Sequence, residues 1–110
     1  MEHIKMIESV DLLEKILQKN NAIIMKNSNR CSISRSVRVK YEVIAEKYGK
    51  NNDFYMIDVV NNKNISNALE EKTNIRHESP QIIIIHEGKV IWHASHWEIK
   101  TDEIEKYITK

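Results

Sequence analysis

A run of four isoleucines at residues 82–85, inside the segment Gln81–His86, constrains the fold of this chain more than any other feature. A strand with one wet face would alternate apolar and polar residues. An unbroken apolar run instead predicts a strand covered on both faces, at the centre of a sheet. The chain has 110 residues, which fits one compact domain over residues 1–110, so any function must sit on one small core.

The rest of the chain alternates between helical and strand patterns around this run. Helices are predicted where apolar residues recur at intervals of three and four, and strands where short β-forming runs are bounded by polar turns. The predicted elements are, in order, an additional edge strand at residues 3–7, a helix capped by Ser9, a strand at 22–25, a helix from about 31 to 48, a strand at 54–60, a helix around 65–69, strands at 81–86 and 90–95, and a helix at 101–110.

These elements predict an α/β fold with a mixed sheet of four to five strands and helices on both faces. Strands separated by helices are expected to run parallel, and the final hairpin antiparallel. Gly49 follows the long helix where a left-handed C-terminal residue is expected. The last helix is expected to place Ile104, Tyr107 and Ile108 on one face.

Charge and hydropathy exclude several classes of partner. The chain carries 17 Lys+Arg against 16 Asp+Glu, a net charge of +1, which is far from the basic footprint that phosphate-backbone binding requires. Its longest aliphatic run is well short of the roughly 20 residues that cross a bilayer. The first residues lack the apolar core of an export signal. We therefore expect a cytoplasmic protein with no nucleic-acid or membrane partner.

Cys31, the only cysteine, lies where a polar loop leads into the long helix. Free N–H groups and the positive end of the helix dipole favour a thiolate there, and Arg30 and Arg35 add positive charge. Ser34, three residues on, can donate a hydrogen bond to the sulfur. The pattern predicts a nucleophile of lowered pKa, with no second cysteine to form an internal disulfide. The alternative is a small buried hydrophobic residue with no chemistry.

Three motifs together carry a resemblance to a known family: Arg-Cys-Ser-Ile-Ser at 30–34, His-Glu-Ser-Pro-Gln at 77–81, and Trp-His-Ala-Ser-His-Trp at 92–97. In this order they resemble the monothiol bacilliredoxin C family, within the thioredoxin-like superfamily. The family's common Cys-Pro-Ile-Ser is matched here at Cys31 and Ser34, whereas Ser32 replaces the proline. The resemblance implies a thioredoxin-like fold in which Ser79-Pro80 is a cis-proline loop that faces Cys31 and pairs with an extended substrate.

The resemblance also implies an activity. Cys31 would take bacillithiol from mixed disulfides on client proteins and be recycled by a second molecule of this low-molecular-weight thiol. Bacillithiol is then a co-substrate, and no tightly bound cofactor is implied. Arg30, with Lys26 and Arg35, would form a cationic surround for the malate carboxylates of bacillithiol, while solvation of a loop is the simpler reading of these charges.

The segment 94–97 is expected at the same end of the sheet as Cys31, which makes His96 and Trp97 candidate walls of a substrate groove. The competing interpretation is that Trp97 packs the last helix onto the sheet. The histidines at 86, 93 and 96 lack the further ligands of a closed zinc site, so no metal site is expected.

Two alternative functions remain open from the sequence. A Cys-x-x-Ser thioredoxin-like chain resembles monothiol glutaredoxins, which carry an iron–sulfur cluster between two protomers. The second alternative is a non-catalytic adaptor, in which Cys31 has no chemical role.

Overall fold

The structure, a computed structural model, describes residues 3–109. Its strands are β1 (Ile4–Met6), β2 (Asn21–Asn27), β3 (Asp53–Asp58), β4 (Gln81–His86) and β5 (Lys89–Ser95). Its α-helices are α1 (Val10–Ile16), α2 (Ser32–Tyr48), α3 (Lys63–Thr73) and α4 (Thr101–Tyr107), and a single 3-10 turn spans His96–Glu98. The end of the helix predicted at 101–110 includes Lys110, which lies outside the described residues. None of the helices within residues 3–109 has the length and apolar character needed to span a bilayer.

The five strands form one mixed sheet in the order β1-β3-β2-β4-β5. Strands β1 and β2 both run parallel to β3, β4 runs antiparallel to β2, and β5 runs antiparallel to β4. The prediction that all helix-linked strands run parallel is therefore wrong for β4. The cause is the connection at residues 74–80. These seven residues can span about 24 Å, more than the roughly 16 Å length of α3. They therefore return the chain to the end of the sheet at which β3 finishes.

The four central isoleucines of β4 are buried on both faces of the sheet, as the sequence predicted. Ile82 and Ile84 pack with residues of α2 and α4, whereas Ile83 and Ile85 pack with residues of α1 and α3. This division follows from the alternation of side chains along a strand. The sheet with helices on both faces is thus confirmed.

Gly49 ends α2 in the right-handed conformation, with φ of −67°, so the expected left-handed conformation is wrong. Its lack of a side chain has a different reason. A Cβ atom there would lie 2.6 Å from the carbonyl oxygen of Ala45 and 2.9 Å from Nδ1 of His3. Glycine is required at this position by close approach of neighbouring atoms.

The predicted apolar face of the last helix divides in two. Ile104 and Ile108 are buried in the core, but Tyr107 is 42% exposed. Its ring stacks on Trp92, with centroids 6.1 Å apart. The helix ends at Tyr107 and Ile108 is extended, which turns Ile108 back into the core and leaves Tyr107 outside.

Candidate active site

Cys31 is the N-cap residue of α2 and is partly exposed. The chain leaves β2 at Asn27 and reaches Cys31 through a short loop. The Cys31 N–H donates to the Ser28 carbonyl at 3.2 Å, and the Cys31 carbonyl accepts from the Arg35 N–H at 3.2 Å. These bonds hold the residue in an extended conformation at the point where the helix begins. The sulfur therefore lies next to the unpaired N–H groups of the first helical turn.

The pKa of the Cys31 thiol is lowered chiefly by the backbone N–H of Ser34, with smaller contributions from the Ile33 N–H and the Ser34 hydroxyl. No side-chain hydrogen bond caps the helix, so these donors favour the thiolate by facing the sulfur without formal capping geometry. The predicted direction is found. Arg30 and Arg35 are both exposed and are not among the groups that lower the thiol pKa, so their contribution stays a prediction.

Ser34 is fully buried, and its Oγ accepts a hydrogen bond from the Ser28 N–H at 3.3 Å. Because that bond uses the oxygen as acceptor, the hydroxyl hydrogen stays available to the sulfur. Ser34 thus fixes the loop before Cys31 and favours the thiolate at the same time.

Substitution of Ser34 by alanine is expected to raise the thiol pKa of Cys31 and to slow its alkylation at pH 7 by roughly threefold, because one donor to the thiolate is lost. The measurement is the rate of iodoacetamide labelling as a function of pH. Ser36→Ala is the matched control, since Ser36 is an exposed residue of the same helix. An unchanged profile for Ser34→Ala would show that the backbone N–H groups suffice.

The Ser79-Pro80 peptide bond is cis and immediately precedes β4. Gln81 lies opposite Lys26 in the antiparallel pair of β4 and β2, so the cis bond and the Cys31 loop occupy the same end of two neighbouring strands. Pro80 is buried, and its carbonyl accepts from the His96 N–H at 2.9 Å. The buried Oγ of Ser79 has no partner among residues 3–109. That Ser79 and Pro80 bind substrate stays a prediction.

His96 and Trp97 lie at this same end, because Ser95 pairs with Gln81 at the last position of the hairpin. His96 has a positive φ of 52°, and its Nδ1 is 3.6 Å from Oε2 of Glu78. Trp97 is 75% exposed. The interpretation that it packs the last helix onto the sheet is therefore wrong, and its role as a groove wall stays a prediction.

Lys26 does not belong to a cationic surround of the thiol. Its side chain is fully buried, and its Nζ lies 3.0 Å from Nδ1 of His77. Along β2, Lys26 falls in register with Ile24 on the α1 and α3 face of the sheet, which carries it away from solvent. Of the three cations proposed to attract bacillithiol, only Arg30 and Arg35 are exposed.

Sequence reasoning missed two buried polar residues at this end of the sheet, Lys26 and Gln81. It also missed His77, an exposed residue whose ring contacts Lys26. The Gln81 Nε2 donates to the Arg76 carbonyl and to Ser95 Oγ, at 3.0 and 3.2 Å. The usable signal was the period of two along β2, which assigns Lys26 to an apolar face and requires a polar partner for it.

No group of three or more His, Cys, Asp or Glu side chains within residues 3–109 is arranged to hold a metal ion. His86 lies at the opposite end of β4 from Pro80, where its Nδ1 is 2.9 Å from Oδ1 of Asn21. It takes no part in the arrangement around Cys31.

This fold is the thioredoxin fold. The chain superposes on a structure described as "a putative oxidoreductase with a thioredoxin fold" at a TM-score of 0.84 and 23% identity, covering 96% of this chain and 93% of the other. It matches oxidised thioredoxin from Plasmodium falciparum at 0.75 and 21%, covering 96% and 99%. It matches N21Q mutant thioredoxin from Halobacterium salinarum NRC-1 at 0.74 and 15%, covering 97% and 88%.

The family model of the monothiol bacilliredoxin BrxC matches residues 5–104. The chain therefore belongs to the monothiol bacilliredoxin family and is a thiol oxidoreductase.

Proposed function

We propose that this protein is a cytoplasmic monothiol thiol–disulfide oxidoreductase that removes bacillithiol from mixed disulfides on client proteins. The observation that carries the proposal is the single cysteine of the chain, partly exposed at the start of α2 with a lowered thiol pKa. Membership of the bacilliredoxin family supports the choice of bacillithiol as co-substrate.

The reaction consists of two exchanges, each of which breaks one S–S bond and forms another. The Cys31 thiolate attacks the bacillithiol sulfur of the client mixed disulfide, and the client cysteine leaves as a thiolate. A second bacillithiol thiolate then attacks the bacillithiol sulfur held on Cys31. This step releases bacillithiol disulfide and restores the Cys31 thiolate. An external thiol is needed because the chain has no resolving cysteine.

The N–H groups at the start of α2 would assist both exchanges. They favour the thiolate that attacks in the first step and leaves in the second, and a leaving thiolate of lower pKa departs faster. The client backbone would lie along Ser79-Pro80, between the thiol and the side chains of His96 and Trp97. Arg30 would attract the carboxylates of bacillithiol.

The test is intact-mass analysis after mixing the protein with a bacillithiolated client, beside the same client carrying glutathione. We expect the protein to gain one bacillithiol while the client loses it, and to react more slowly with the glutathionylated client. Protein alkylated at Cys31 beforehand is the control and should gain nothing. Equal rates with the two clients would contradict bacillithiol as the co-substrate.

A carrier role would be revealed by a different signal. Visible absorbance that develops on anaerobic reconstitution with iron and sulfide, and that is absent from the alkylated protein, would favour an iron–sulfur carrier. An adaptor would be favoured by client binding that survives alkylation of Cys31.

A further inference from the structure

The connection at residues 74–80, which carries the cis bond, is fastened to the rest of the molecule through His77. The His77 N–H donates to Oε2 of Glu70 on α3 at 2.6 Å. The ring Nδ1 lies 3.0 Å from Nζ of Lys26 on β2 and 3.0 Å from Oγ of Ser66 on α3. One side chain thus joins the connection to both the sheet and a helix.

These contacts fix the protonation state of the ring. At pH 7, below the lowered pKa of about 8 of Lys26, its amine is an ammonium that can only donate. Nδ1 must then accept, and the ring is neutral with its hydrogen on Nε2. A proton on Nδ1 would break the hydrogen bond and set two cations about 3 Å apart. Partial burial, and then the charge of Lys26, lower the pKa of His77.

The next residue fastens the connection on its other side. Glu78 Oε2 lies 3.6 Å from Nδ1 of His96, and the His96 N–H donates to the carbonyl of Pro80. The charged and polar groups that face His77 are Lys26 from β2, Ser66 and Glu70 from α3, and Glu78 from the connection itself. With the His77 ring released, the connection would lose its bond to the sheet through Lys26. It would keep the His77 N–H bond to Glu70, the Gln81 bond to the Arg76 carbonyl and the Glu78 contact.

We propose that neutral His77 is a positioning residue that holds Ser79-Pro80 where the client backbone docks, so that acidification weakens client binding without changing the reactivity of Cys31. This inference rests on the proposed function for the identity of the client. The two properties are separable because the Cys31 thiol is perturbed by the first turn of α2, and neither His77 nor Lys26 is among its perturbing groups.

Two substitutions at His77 test the proposal. His77→Asn offers an amide oxygen near the position of Nδ1 and does not titrate, whereas His77→Leu offers no acceptor. As the pH is lowered from 7.5 to below 6.5, the ordinary pKa of histidine, we expect the KM of wild type for the bacillithiolated client to rise about three- to tenfold as His77 protonates. His77→Asn should keep a low KM across this range, and His77→Leu should have a high KM throughout.

The control is His86→Asn, at the far end of β4, which should behave as wild type. The pH profile of Cys31 alkylation should be the same in all four proteins. A wild-type KM for His77→Leu, or an acid-dependent KM for His77→Asn, would overturn the proposal, as would a shifted alkylation profile in either variant.

Amide hydrogen exchange separates failure of this proposal from failure of the proposed function. After correction for intrinsic rates, the protection of residues 76–81 should decrease in wild type as the pH is lowered, and it should stay level in His77→Asn. If that holds while no bacillithiol is transferred, the function is wrong and the positioning role stands. If protection is independent of pH in wild type, the positioning role is wrong.

Discussion

Replacing Cys31 with serine is expected to abolish transfer of bacillithiol to the protein, leaving client mixed disulfides to react at the uncatalysed rate. A serine hydroxyl is not ionised near neutral pH and forms no mixed disulfide, and the chain has no other thiol to take over the attack. Intact-mass analysis of both proteins, with release of the client thiol followed over time, measures the effect.

The substitution should leave the fold intact, so the loss can be assigned to chemistry. Cys31 is partly exposed and makes no capping hydrogen bond, whereas serine is among the preferred N-cap residues. The free energy of unfolding of Cys31→Ser should therefore equal or exceed that of wild type in urea titrations. Turnover that survives in a folded Cys31→Ser protein would show that the reaction does not pass through this sulfur.

The sequence predicts the centre of this fold better than its topology. The apolar run at 82–85 places β4 in the middle of the sheet, and the burial of all four isoleucines confirms it. The direction in which β4 runs, by contrast, cannot be predicted from a local pattern. It depends on whether residues 74–80 bring the chain back to the end of the sheet at which β3 finishes, and no local pattern of hydrophobicity encodes that choice.

The candidate site divides in the same way. The position of Cys31 and Ser34 at the start of a helix follows from local patterns, because the loop and the apolar repeat are contiguous in the sequence. The cis bond before Pro80 came from the family resemblance, since only about 5–6% of X–Pro bonds in folded proteins are cis. The Lys26–His77 contact joins residues 51 apart in sequence, and a lysine at the end of a strand ordinarily predicts exposure.

Replacing Lys26 with methionine is expected to stabilise the protein at pH 7. Burial lowers the pKa of Lys26 from 10.5 to about 8, and Glu70 and Glu78 oppose this effect only in part. Such a difference corresponds to at most about 3.5 kcal/mol at roughly 1.4 kcal/mol per pKa unit, and less after solvent screening. Loss of the hydrogen bond to His77 removes about 1 kcal/mol of stabilisation. We expect a net gain of roughly 1 kcal/mol in the free energy of unfolding, measured in urea.

The pH dependence identifies the cause. Folded protein releases the Lys26 proton near pH 8, whereas the unfolded chain keeps it until about 10.5, so this lysine makes stability rise between those values. Lys26→Met should lack that part of the rise. Lys89→Met, at an exposed residue of β5, should retain it. Equal profiles for the two variants, or a less stable Lys26→Met protein, would contradict the argument. A stabilised variant would mean that the buried ammonium of Lys26 lowers the stability of the fold, as expected if its contact with His77 serves client binding.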